Sequence, residues 1–184
     1  MFSKELLYKT EGLVLKKQDA NDVDALLTLY TKKRGKILVK AKGVRKRESK
    51  LKGFLEPFSF NSFLLARGKG LTDVLAGAES LDGFWEIRKD LQRMAVAFYA
   101  IEVLDKTIPV PEADEQIWNL VIRFFETLNN RKYEPRKIKI AFERKLLEIL
   151  GYGLDYKNVP AKICQLADEP LRSYKFLNQC WRCV

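Results

Sequence analysis

An α+β fold, strands first and helices after, is predicted by three features of this 184-residue sequence. Up to Glu79 the apolar residues alternate in short runs punctuated by glycines, the period of strands. From Asp82 onward the apolar spacing becomes three and four, the period of helices. Prolines at Pro109, Pro111 and Pro135 and glycines at Gly151 and Gly153 then divide that second part into separate helices.

The strands can be justified in order. Residues 7–16 are β-branched and aromatic, with Gly12 suited to a bulge or sharp bend. The polar cluster 18–22 is a turn, and an apolar stretch resumes over 24–31. Lys32-Lys33-Arg34-Gly35 reads as a hairpin connection into a third strand, in which Ile37, Val39 and Ala41 share one face and Lys36, Lys40 and Lys42 the other. Residues 43–53 form a basic loop, residues 55–67 a fourth strand, Gly68-Lys69-Gly70 a turn, and residues 71–79 a fifth strand. Five short strands with irregular loops fit a small closed barrel, and the oligonucleotide/oligosaccharide-binding (OB) barrel is the five-stranded form that also binds nucleic acid. Closure also removes the exposed sheet edges.

The helices follow. A first helix from Asp82 carries the stripe Leu91, Met94, Phe98, Ile101 and Leu104 and ends at Pro109. A second presents Ile117, Leu120, Val121, Phe124, Phe125 and Leu128, ending near Asn129. Pro135 suits the first turn of a third, with Ile138, Phe142, Leu146 and Ile149 inward. The expected division is therefore an OB-fold barrel over 1–81 and an α-helical domain over 82–184.

Charge narrows the function. The chain has 34 Lys+Arg against 24 Asp+Glu, a net of +10. Eleven of the cations (Lys32, Lys33, Arg34, Lys36, Lys40, Lys42, Arg45, Lys46, Arg47, Lys50 and Lys52) fall in residues 32–52 with Glu48 as their only acid, so this stretch alone accounts for the whole excess. A concentrated positive field attracts a polyanion and gains affinity by releasing its condensed counterions. Same-face strand residues lie about 6.6 Å apart, comparable to the phosphate spacing of an extended strand. With Arg67, these cations are the candidate nucleic-acid-binding residues. Tyr8, Tyr30 and Phe60 are candidates for base stacking, though each reads first as barrel core. An acidic membrane surface would call for an amphipathic helix in place of strand and loop.

Other chemistry is excluded or unsupported. With no histidine, no Ser-His-Asp or Cys-His arrangement and no imidazole metal ligand can exist. Neither G-x-G fragment extends to a nucleotide-binding loop. The expectation is a binding protein that is not an enzyme. No apolar run approaches the ~20 residues of a membrane span. The first residues lack the pattern of a secretory leader, and three cysteines give no sign of an oxidising compartment. The expected location is cytoplasmic.

Several segments in order resemble the RecO family of bacterial DNA repair and recombination proteins. They are Tyr8-Lys9-Thr10-Glu11-Gly12-Leu13-Val14-Leu15, Asp24-Ala25-Leu26-Leu27-Thr28-Leu29-Tyr30-Thr31, Gly35-Lys36-Ile37 and Ala41-Lys42-Gly43-Val44-Arg45-Lys46. Leu55-Glu56-Pro57-Phe58, the Arg67-Gly68-Lys69-Gly70-Leu71 turn, Arg88-Lys89-Asp90-Leu91 and the 146–152 helix end continue the match. The resemblance implies an OB barrel and a helical domain that bind single- and double-stranded DNA and anneal complementary strands. It implies work with RecR to load recombinase onto strands coated by single-strand-binding protein, whose C-terminal tail the helical domain receives. It also implies nucleoid association and no nucleotide cofactor. The competing reading is an RNA-associated OB protein, which barrel and charge fit equally well.

Many RecO-like proteins carry a zinc module of two CxxC pairs. Here Cys180 and Cys183 make one pair and Cys164 stands alone, short of the four ligands a structural zinc requires. Asp168 or Glu169 would have to complete the shell, and closed structural sites rarely use carboxylate. The tail reads as a vestigial zinc module at a frayed chain end, so no cofactor is assigned and zinc is the only candidate.

Overall fold

The computed structural model describes residues 7–68, 72–152 and 159–182. The chain forms two compact units, residues 1–83 with 109–113 and residues 84–108 with 114–184. Lys69 and Gly70 of the expected turn, Leu71 at the expected start of the fifth strand, Gly153 and Cys183 fall outside the described residues.

The first unit is a closed five-stranded barrel. Its strands are β1 (Leu7–Asp19), β2 (Ala25–Thr31), β3 (Gly35–Ala41), β4 (Phe60–Ala66) and β5 (Thr72–Asp82), in the order β1-β2-β3-β5-β4 that defines the OB topology. The parallel pairing of Leu38 with Thr72 and Lys40 with Val74 joins β3 to β5. β1 serves two neighbours: residues 7–13 pair with β4 and residues from Gly12 onward with β2. Gly12 therefore lies where the strand passes from one partner to the other. A Cβ there would meet the Phe63 ring at 3.2 Å and the Thr31 methyl at 3.1 Å. The bulge itself falls at Leu15, where the β1–β2 register slips between Val14 and Lys16. Ile37, Val39 and Ala41 enter the core with Val14, Leu27, Leu29, Phe63 and Leu65, as strand alternation requires.

The fourth strand is shorter than the predicted 55–67. Residues 55–59 turn instead, because Pro57 has no N–H for a ladder and Phe58 sits at a positive φ of 52°. The Phe58 amide donates to the Val14 carbonyl at 2.8 Å, which fastens this turn to β1 beside the bulge. Leu55 drops fully into the core.

The second unit contains α1 (Trp85–Arg88), α2 (Leu91–Thr107), α3 (Glu115–Asn129), α4 (Pro135–Ile149), α5 (Val159–Leu166) and α6 (Arg172–Arg182). The single first helix read from the sequence is broken at Lys89-Asp90. There the Asp90 carboxylate accepts the Arg93 amide at 3.0 Å and caps a new start. Leu91, expected on the apolar stripe, is exposed. α2 instead buries Ala95, Val96, Ala97, Tyr99, Ala100, Ile101, Val103 and Leu104, so its apolar surface goes almost all round and no single stripe describes it. α3 and α4 bury the faces predicted for them apart from Leu120 and Ile149, which are half-buried. Phe124 packs against Phe142 with ring centroids 4.5 Å apart.

Three buried charged groups, Arg93 and the Lys139–Glu143 pair, organise this unit. The guanidinium of Arg93 donates to the carbonyls of Leu128 at 2.6 Å, Asn130 at 3.1 Å, Arg131 at 3.2 Å and Tyr133 at 2.8 Å. It thereby satisfies acceptors that the end of α3 would otherwise leave orphaned. On α4, the Lys139 ammonium lies 2.6 Å from the Glu143 carboxylate, with the Tyr99 hydroxyl donating to the same oxygen.

α6 starts on a carboxylate borrowed from α2. Glu102 accepts the amides of Arg172 at 2.9 Å and Ser173 at 2.8 Å, together with the Ser173 hydroxyl. Burial alone would raise the Glu102 carboxyl. The donors of Ser173 and Arg172 and the charge of Lys106 outweigh it and hold the group below its ordinary value. A depressed carboxylate contributes stability above its unfolded pKa of about 4.3 and loses it as pH falls through the folded value. Protection of the α6 amides against hydrogen exchange, measured relative to the intrinsic rate at each pH, is therefore expected to fall on acidification below about pH 4. Glu102→Gln should lower that protection already at neutral pH and remove its acid dependence.

Cys180 lies buried on α6, not on a frayed end, and Cys164 is exposed on α5. Among the described residues no group of three or more Cys, Asp or Glu is placed to hold a metal ion.

Candidate nucleic-acid interface

The cations contiguous in sequence separate in space. Lys32 and Lys33 occupy the turn before β3, whereas Lys42, Arg45, Lys46, Arg47, Lys50 and Lys52 follow its end. β3 thus holds the two groups about 20 Å apart. Arg67 joins the first group, since Asp73 bonds both Arg34 in that turn and the Gly68 amide next to Arg67.

Asp24 and Asp73 fix these positions. Asp73 accepts Arg34 Nη1 at 2.5 Å and the Tyr8 hydroxyl, tying β1, β5 and the β2–β3 turn. Burial, then the bond to Asp73, pushes the Tyr8 phenol up to about 12, so it stays a proton donor at any physiological pH. At the far end Asp24 accepts the Gly43 amide at 2.8 Å and pairs with Lys40 at 3.3 Å. The Gly43 amide, then Asn21 and Lys40, hold its carboxyl below the usual range. Arg45 pairs with Asp19 at 3.1 Å and its amide bonds the Val23 carbonyl, so residues 43–46 are pinned against the β1–β2 loop.

These pairings sort the twelve predicted cations. Lys33, Lys42, Lys46, Arg47, Lys50, Lys52 and Arg67 are exposed and have no ion pair among the described residues. Lys32 is exposed and only loosely paired with Glu11 at 3.7 Å, too weak in water to hold it. Arg34, Lys40 and Arg45 spend their charge on Asp73, Asp24 and Asp19. Lys36 departs from expectation. It shares the Lys40 side of β3, but it is buried opposite the equally buried Tyr30. Alternation tells which side of a strand a residue takes, not whether that side is covered.

The aromatic candidates are also resolved. Tyr30 is fully buried, Tyr8 is bound into the Asp73 network, and Phe60 is half-buried. Among the described barrel residues no aromatic ring is exposed. On the described barrel an exposed cation without an ion pair lies outside the sequence-predicted set. Lys16, in register with Thr28 of β2, carries no local excess of charge, because nearby acids balance it in sequence though not in space.

Fold and surface define an OB-barrel protein with basic loops at both ends of its third strand, followed by a helical unit. The comparisons narrow the class. Residues 4–84 match the family described as Recombination protein O N terminal, and residues 88–183 match Recombination protein O C terminal. The chain belongs to the RecO family. It is 34% identical over 146 residues, 79% of its length, to the DNA repair protein RecO of Alkaliphilus metalliredigens. It is 33% identical over 169 residues, 92% of its length, to that of Desulforamulus reducens, and 37% identical over 145 residues, 79% of its length, to that of Dehalococcoides mccartyi. These alignments cover 59%, 63% and 56% of the respective relatives, so the chain spans about three fifths of their length. Among the described residues no helix is long and apolar enough to cross a membrane.

Proposed function

We propose that this chain acts in DNA repair and recombination as a binding protein without bond-making chemistry. Its substrates are single- and double-stranded DNA, it anneals complementary strands, and it helps load recombinase onto strands coated by single-strand-binding protein. RecR and the C-terminal tail of single-strand-binding protein are its partners in this reading, and the nucleoid its place of work.

The observation that carries the reading is the pairing of exposed cations with an absence of exposed rings on the described barrel surface. Such a surface grips phosphates without sequence preference and leaves the bases outward, free to meet a complement. Two strands held this way have their mutual repulsion screened, which is what annealing requires.

The test is binding of a labelled 30-mer of single-stranded DNA across a salt series, with an RNA hairpin as competitor and strand annealing as the second readout. Five phosphate contacts predict a slope of log K against log salt near −3.5, from about 0.7 each. A flat slope, preference for the RNA, or binding without annealing would overturn the proposal.

A further inference from the structure

Among the described residues the barrel shows exposed cations and no exposed ring, whereas the helical unit shows exposed rings. Among its described residues the three most exposed large apolar side chains are Trp85 at 68%, Leu91 at 56% and Tyr133 at 53%. Trp85 and Tyr133 are far apart in sequence, but the backbone that carries them is tied together. The Asn129 side chain accepts the amides of Glu86 at 3.0 Å and Ile87 at 3.3 Å, which seats α1 on the end of α3. The Glu86 carboxylate holds Arg131 Nε at 2.6 Å and Lys89 Nζ at 2.6 Å. Arg93, beside the Asp90 cap, donates to the Tyr133 carbonyl at 2.8 Å. Backbone on both sides of the patch is thus fixed, while the Trp85 and Tyr133 rings touch no other ring among the described residues.

An exposed tryptophan is costly in water and is usually kept for contact with something. The surroundings indicate what. Of the seven cations in residues 85–93 and 129–137, Arg93 is buried and Lys137 pairs with Glu134. Lys89 and Arg131 share the single Glu86 carboxylate and Lys132 has no ion pair among the described residues, so an excess of positive charge remains there. Aromatic faces set among lysines and arginines are the chemistry that receives unpaired nucleobases, the rings stacking on bases and the cations taking the flanking phosphates. A duplex hides its base faces within its own stack and offers no such contact.

We infer that the helical unit carries a separate site for the unpaired bases of a single strand, with Trp85 and Tyr133 as its stacking platform, Lys132 at its rim, and beside it Lys89 and Arg131, two cations that share one carboxylate and so keep one positive charge between them. This rests on the DNA-binding reading and adds a division of labour: barrel loops hold backbone of either form, and the helical patch distinguishes single strand from duplex.

The experiment compares oligo(dT) and a duplex of equal length on the full chain and on Trp85→Ala, Tyr133→Ala and Trp85→Phe. Both alanine variants are at exposed positions and keep the fold, checked by circular dichroism. Each is expected to lose about tenfold in affinity for oligo(dT) with duplex affinity within about twofold, and Trp85→Phe to retain most of it. An abasic strand should bind the parent chain as weakly as oligo(dT) binds the alanine variants. Oligo(dT) should quench the parent's fluorescence well beyond that of Trp85→Ala, in which only the buried Trp118 and the half-buried Trp181 remain. An oligo(rU) arm assigns the base source to DNA or RNA. Equal losses for strand and duplex, or no loss, overturn the inference and leave the patch to a protein partner. If the parent chain binds neither DNA, the proposed function fails and takes the inference with it.

Discussion

Exchanging Lys42, Lys46, Arg47, Lys50 and Lys52 together for glutamine is expected to weaken single-stranded DNA binding roughly a thousandfold at 0.1 M salt. Each contact with a single strand contributes about 0.7 to the salt slope, so five contribute about 3.5. Counterion release has largely vanished near 1 M salt. One decade below that, the five contacts together are worth roughly three orders of magnitude. The same measurement on Arg34→Gln, Lys40→Gln and Arg45→Gln separates charge in sequence from charge in space. Those cations are taken up by Asp73, Asp24 and Asp19, so each loss should be several-fold at most. Equal losses across all eight positions would show that the local pairings do not direct binding.

The largest stability effect is expected at the Lys139–Glu143 pair. Its side chains are 5% and 2% exposed, so neither charge has water to fall back on. Glu143 meets the Lys139 ammonium and the Tyr99 hydroxyl. The ammonium also lies over the rings of Tyr99 at 4.6 Å, Trp181 at 5.8 Å and Tyr174 at 6.0 Å. Burial, then the Glu143 charge, raises the Tyr99 phenol so far that it remains a donor throughout. Glu143→Leu leaves a buried cation unpaired, and Lys139→Met leaves a buried anion unpaired; each should cost about 3–5 kcal/mol in urea unfolding. The double variant removes both charges and should recover most of that, short by about 1–3 kcal/mol for the orphaned Tyr99 hydroxyl. Adding Tyr99→Phe should close the remainder. A double variant as unstable as either single one would show that an unpaired buried charge is not what destabilises them.

How much of this was legible in the sequence depends on the range of the interaction concerned. Ile37, Val39 and Ala41 were placed correctly because strand alternation is local and the core lies on one side. Pro135 announced its helix because a missing N–H costs nothing in a first turn. Leu91 was misplaced because its apolar spacing continued a stripe, while the Asp90 cap restarted the helix beneath it. The shortened fourth strand follows from Phe58 at a positive φ, a tertiary constraint set by its bond to Val14. α5 and α6 escaped notice because α6 takes its cap from Glu102, seventy residues away.

By itself the sequence determined the order of barrel and helices, the faces of β3, α3 and α4, the absence of imidazole chemistry, and the existence of a basic segment. All of these rest on composition or on contacts a few residues apart. Only the tertiary structure decided which cations remain available. Asp24 and Asp73 are paired with them across the barrel, Lys36 is buried in register with Tyr30, and β3 divides one run of charge into two groups. The same holds for Trp85, Leu91 and Tyr133. Their exposure is set by tertiary contacts: Asn129, Arg131 and Arg93 close a loop of some forty residues between the backbone near Trp85 and that near Tyr133, and no periodicity along the chain encodes that closure.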